Sequence, residues 1–211
     1  MPRSPLFGRR IHIAGSIVED LTIATPEDVK AARELVVGLV RALVKRGATF
    51  VVPVDAEPIR SDGVPICFDW LIWETLMASL ALQPQGAPEP LVVAVQHHKT
   101  EDQIPTDKID LWDALRSSEL IRIENAAFWN MSSKRMEAQA KYGDILITLG
   151  GTEGVLHLAN LYHDAEKPVV PLNLPLSPET TGSRRLYDFG MTSMRISRNV
   201  GIDFARCRAR V

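Results

Sequence analysis

Short apolar runs alternate with longer segments of helical period along this chain. Arg10–Ala14, Phe50–Val54, Leu91–Val95, Leu120–Ile123, Asp144–Leu149 and Val169–Asn173 are runs of the kind that fills a parallel strand buried on both faces. Pro53 marks the end of the second run. Val29, Ala32, Val36, Leu39, Val40 and Leu43 recur at helical spacing. Thr25 is the N-cap of that helix, Pro26 its first residue and Gly47 its stop, with Glu27 and Asp28 at its positive end. Phe68–Leu82 is apolar with helical character and Ile109–Arg116 is a further helix. Ser132 or Ser133 caps a helix running to Lys141, and another follows Gly154. This alternation predicts an α/β fold with a doubly wound, Rossmann-like parallel sheet and helices on both faces.

The Pro-rich stretch Gln83–Pro90 reads as a surface loop too short to separate two domains. The expected organisation is one nucleotide-binding domain over residues 1–176 and a basic extension over 177–211. From Ser183 onward that extension carries Arg184, Arg185, Arg195, Arg198, Arg206, Arg208 and Arg210. Arg184 and Arg185 follow Gly182-Ser183, a position from which they would fold back over an anionic ligand; the alternative is a solvated surface.

Composition narrows the classes. The 211 residues are 45% hydrophobic and 24% charged, values of an ordinary globule. A net charge of −2 argues against a nucleic-acid partner bound by broad phosphate neutralisation. Cys67 and Cys207 match no metal spacing and no disulfide framework, which fits a reducing cytoplasm. The N-terminus lacks a secretion-signal pattern, and no apolar run approaches membrane-spanning length. The expectation is a cytoplasmic protein with no membrane partner, no metal and no cofactor.

The chemistry concentrates at two glycine-bearing turns. Gly15-Ser16 follows the first strand, and Gly150-Gly151-Thr152-Glu153-Gly154 follows the fifth and opens a helix. A glycine turn at a helix start leaves backbone N–H groups unpaired at the positive end of the helix dipole, a place that suits phosphate. Both turns lie beyond the carboxyl ends of strands, where open α/β sheets bind ligands. The dinucleotide fingerprint G-x-G-x-x-G is absent after the first strand, which argues against an ordinary NAD-dependent dehydrogenase.

Three pieces carry a family resemblance. They are Ile13-Ala14-Gly15-Ser16, then Lys134-Arg135-Met136-Glu137 followed by Gly143-Asp144, then Gly150–Gly154 through Lys167-Pro168-Val169-Val170-Pro171-Leu172-Asn173. In order and spacing the chain resembles the SLOG superfamily, which includes DNA-processing proteins and the Lonely Guy phosphoribohydrolases. The long first helix and Phe68-Asp69-Trp70 look most like the branch found beside TIR or Sir2 domains in bacterial anti-phage systems. That similarity implies a sensor of ADP-ribose-type nucleotides controlling a TIR or Sir2 effector, in cis or in trans. Family phosphoribohydrolases place a glutamate seven positions after the first loop glycine, where this chain has His157, and the third glycine is displaced by one residue. The resemblance therefore favours binding over hydrolysis.

The expected ligand-binding residues are Gly15, Ser16, Arg135, Gly150, Gly151, Thr152, Glu153 and Gly154. Arg135 presents a planar fork to phosphate oxygens, and Lys134 beside it reads as solvated. Ser16 either donates to phosphate or ribose or caps the next segment. His157 either touches ligand or is a core histidine, and Asn173 either reaches the ligand or starts a turn. An N-glycosidase acting on nucleoside monophosphates or NAD is the alternative function. It needs a carboxylate near the anomeric carbon, for which Glu153, Asp69 and Glu74 are the candidates. Trp70 and Trp73 read as core or interface, and an apolar face around Trp70, Trp73, Leu76 and Met77 leads to the expectation of a homo-oligomer.

Overall fold

The computed structural model describes residues 4–84, 86, 91–97, 99–126 and 131–192, with 131, 132, 191 and 192 described by backbone alone. His98, most of the Pro-rich loop, Cys207 and the arginines from Arg195 onward lie outside the described residues.

Six parallel strands form one sheet in the order β4-β3-β2-β1-β5-β6. They are β1 (Arg10–Ser16), β2 (Thr49–Pro53), β3 (Val92–Gln96), β4 (Ile121–Asn125), β5 (Ile145–Gly150) and β6 (Val169–Leu172). The helices are α1 (Pro26–Lys45), α2 (Asp69–Ser79), α3 (Ile109–Arg116), α4 (Met131–Tyr142), α5 (Glu153–Asp164) and α6 (Gly182–Thr192). Alternating strand residues feed two cores. Ile11, Ile13, Phe50, Val52, Val92 and Ala94 pack with α1, α2 and α3 on one face. On the other, Val51, Val93 and Val95 meet α4, and Leu146 meets α4 and α5. The doubly wound α/β fold is as the pattern predicted.

Thr25 caps α1, its hydroxyl accepting from the Asp28 N–H at 3.2 Å, and Pro26 opens the helix. Ser132 and Ser133 lie inside α4, which starts at Met131, so neither is its cap. α5 begins at Glu153, placing Gly154 within its first turn.

α2 removes the surface on which the homo-oligomer expectation was argued. Trp70, Trp73 and Leu76 are each 2% exposed or less, and Met77 packs partly buried against the same core. The tryptophan Nε1–H groups donate to the Asp55 and Pro53 carbonyls, both at 3.0 Å. A helix apolar on all sides is a buried helix. α1 and β2 cover the face that was to drive self-association, and that argument for an oligomer falls.

Strand order reverses between β1, which continues to β2, and β5, which continues to β6. Ser16 pairs with Gly150 at the carboxyl ends of these strands, so the two glycine turns meet at the switch point. α6 packs over β5 and β6, with Ser183 Oγ 2.8 Å from the Thr148 carbonyl and 2.9 Å from that of Leu172.

Candidate functional site

A cleft of about 200 Å³ opens at the switch point. β1 supplies His12, Ala14, Gly15 and Ser16; the segment entering α2 supplies Cys67 and Asp69. α4 supplies Arg135, Met136 and Gln139, and the start of α5 supplies Thr152, Gly154, Val155 and Leu158. Of the expected binding residues, Gly15, Ser16, Arg135, Thr152 and Gly154 line this cleft, whereas Gly150, Gly151 and Glu153 do not.

The glycines on the β5 side are explained by backbone packing. Gly150 has φ 56° and Gly151 φ 76°, and a Cβ on Gly150 would lie 2.2 Å from the Ser16 carbonyl oxygen. The Gly151 N–H donates to that same oxygen at 2.7 Å, so it serves the strand pair. A Cβ on Gly15 would meet the Leu149 oxygen at 1.8 Å. What remains for an anion is the start of α5. Val155 and Leu156 N–H are the first to bond back to the Thr152 carbonyl, and Thr152 makes no side-chain cap bond. The amides preceding Val155 stand at the positive helix end beside Gly15 and Ser16.

The opposite wall carries charge. The Arg135 guanidinium forms an ion pair with Asp55, just beyond β2. Arg135 Nε is buried and has no hydrogen-bond partner among the described residues. Asp69 stands at the first residue of α2, partly exposed to the cleft yet surrounded by protein. Burial raises its carboxyl pKa to about 7; Arg135 opposes the rise, and Asp55 and Glu57 add to it. Cys67 is pushed up to about 12 by burial and the nearby carboxylates, so its thiol stays protonated and is no nucleophile.

His12 sits deeper along β1. Its Nδ1 is 3.2 Å from Tyr162 Oη, and that hydroxyl donates to the Gln139 carbonyl, also at 3.2 Å. The phenol proton being spent there, His12 Nδ1–H is the donor and Nε2 a bare acceptor. Burial, reinforced by Arg135, lowers its pKa to about 3, so the ring is neutral. The burial of His12 had no signal in the sequence beyond its place in an apolar strand.

The other candidates lie elsewhere. Glu153 is exposed at the helix start, and Glu74 pairs with Lys108 at 2.7 Å on the surface. His157 is exposed outside the cleft; the α5 face turned inward is Gly154, Val155 and Leu158. Displacement of the third glycine by one residue puts Leu158, not His157, four positions on from Gly154 and on its face. Asn173 is exposed and lies outside the cleft lining. Lys134 is on the surface with Glu137, and Arg184 binds Glu179 and the Ser177 carbonyl. Neither Arg184 nor Arg185 lines the cleft.

Among the described residues there is no helix long and apolar enough to cross a membrane, and no cluster of three metal-ligating side chains. No curated protein matches the sequence. Among solved structures, the protein TM1055 is 15% identical with a TM-score of 0.49, over 85% of this chain and 81% of its own. DNA processing protein A from Helicobacter pylori is 16% identical with a TM-score of 0.54, over 87% of this chain and 74% of its own. The likeness to the second structure shows a shared fold. That second structure describes a single-stranded DNA binding mode, which overturns the exclusion of nucleic acid drawn from net charge. Charge summed over a whole chain says nothing about one cleft, and this architecture serves a nucleic-acid binder. The model of the family described as "ATP nucleosidase Cap17-like, N-terminal" matches residues 6–206. The chain belongs to that family, within the SLOG superfamily.

Proposed function

We propose that the cleft hydrolyses the N-glycosidic bond of an adenine nucleotide, ATP being the one to which the family description points. The observation that carries this reading is Asp69, a carboxylate at the cleft with a pKa of about 7. A carboxyl poised near neutrality takes and returns protons efficiently. In the reaction a bond forms between a water oxygen and C1′ of the ribose as the C1′–N9 bond breaks. Asp69 takes the water proton and returns one to the departing adenine, and ribose 5′-triphosphate remains. An oxocarbenium-like transition state gains from the adjacent negative charge. Ser16, Thr152, Gly154 and the first-turn amides of α5 are the proposed triphosphate contacts, with Gly15, Gly150, Gly151 and Glu153 shaping the turns that carry them. Arg135 adds a cation whose Nε–H awaits an acceptor. Chromatography of ATP after incubation is expected to show free adenine, lost in Asp69→Asn.

A second reading rests on a different observation. α5 turns apolar Val155 and Leu158 toward the cleft and carries no carboxylate there. That favours a binder of ADP-ribose-type nucleotides controlling a TIR or Sir2 effector in defence. Calorimetric binding of ADP-ribose with no adenine release from any nucleotide would put this reading first.

A further inference from the structure

We propose that Asp55 is a positioning residue that holds Arg135 off Asp69, so that the carboxyl at the cleft is not neutralised by a direct ion pair. This rests on Asp69 as the proton-handling group of the proposed reaction. Asp55 follows the carboxyl end of β2 and grips both neighbouring elements. Its carboxylate holds Arg135 of α4, and its backbone carbonyl accepts from Trp70 Nε1 at 3.0 Å, the residue next to Asp69 on α2. The Trp70 side chain is 2% exposed, so this anchor is fixed in the core.

The charge balance shows what the clamp does. Asp55 and Asp69 share the field of the Arg135 guanidinium, Glu57 adds its negative charge at Asp69, and the protonated Cys67 and neutral His12 add no charge. Glu57 is itself raised by burial, with Lys108 and Arg33 opposing and Asp107 and Glu74 adding to the rise. Arg135 satisfies Asp55 by direct contact and acts on Asp69 only as a nearby charge. A guanidinium released from Asp55 would be free to pair with Asp69, and a carboxylate so paired is a poor proton acceptor at neutral pH.

Asp55→Asn keeps the backbone carbonyl that binds Trp70 and removes the clamp. Titration of the Asp69 carboxyl by carbon NMR should show its midpoint falling by on the order of one pH unit more than the same change causes in an Arg135→Gln background, where only the charge of Asp55 is lost, and the acid limb of the pH–rate profile for adenine release should move with it. Arg135→Gln, which removes the cation, should move the midpoint up. A fall no larger with Arg135 present than in the Arg135→Gln background overturns the proposal, since loss of the Asp55 charge alone lowers the midpoint equally in both. Should Asp55→Asn fail to fold, Asp55→Ser takes its place in the same comparison, and the same outcome overturns the proposal. If the wild-type protein releases no adenine, the proposed reaction fails, while the NMR titration still judges the clamp.

Discussion

The two walls of the cleft are built on opposite principles. On the β5–α5 side, the glycines that stand out in the sequence are occupied with packing. Gly150 and Gly151 admit the Ser16 carbonyl and the Val155 side chain, and a Cβ on Gly182 of α6 would lie 2.1 Å from the Gly151 oxygen. On the β2–α2–α4 side, Asp55, Asp69 and Arg135 come from three separate segments to form one charged group, a grouping that no single motif records. The lesson is that a motif records what the backbone needs, while reactivity arises where desolvation meets charge.

The sharpest way to break this contrast is Asp69→Asn. Loss of a positioned proton acceptor costs about 10²–10⁴-fold in rate, read as adenine released per unit time. The same change should stabilise the fold at pH 8. Asp69 has its pKa raised from 3.8 to about 7, so its contribution is fully present below the unfolded value and lost as pH rises through 7. Removing the charge should recover up to about 4 kcal/mol in urea unfolding at pH 8. His12 works in the opposite sense. Its pKa is lowered from 6.5 to about 3, so its contribution is present above the unfolded value and lost as pH falls toward 3. An Asp69→Asn variant that keeps its activity, or is no more stable at pH 8, would remove the distinction between the walls.

The glycine wall is tested next. Gly150→Ala introduces a Cβ against the Ser16 oxygen at positive φ and should cost about 3 kcal/mol of stability or more, measured by urea denaturation. A stability equal to wild type with lost nucleotide binding would instead make that glycine a ligand device. Arg135→Ala should follow, with nucleotide affinity down on the order of ten- to a hundredfold by calorimetry, for a lost charge-assisted hydrogen bond of about 1.5–3 kcal/mol. Affinity unchanged for every nucleotide would make the arginine purely a partner of Asp55. The smallest effect belongs to His157→Glu. An exposed side chain outside the cleft should gain no base-releasing activity, and appearance of free adenine above the wild-type level would show that α5 rotates to bring it in.

Much of the fold was legible because parallel strands buried on both faces leave continuous apolar runs, and α1 carries its cap, its proline and its period in consecutive residues. α2 misled because its apolar positions have no preferred side: the sequence of a helix buried all round resembles that of one seeking a partner. Ser132 and Ser133 misled because capping residues are tolerated within a first turn. At the site, the glycine turns and Arg135 were legible from spacing. Asp55 was not, since an aspartate after a strand is an ordinary turn residue until its partner 80 positions away is known.

The residue pattern alone determined the alternation of strands and helices, the parallel sheet and the meeting of two glycine turns at its edge, because each follows from local period and backbone freedom. Only the tertiary structure decided which carboxylate faces the cleft, that Arg135 is held by Asp55, and that His12 stays neutral. Those properties depend on distance and desolvation between segments far apart in the chain, and neither quantity is written in any one of them.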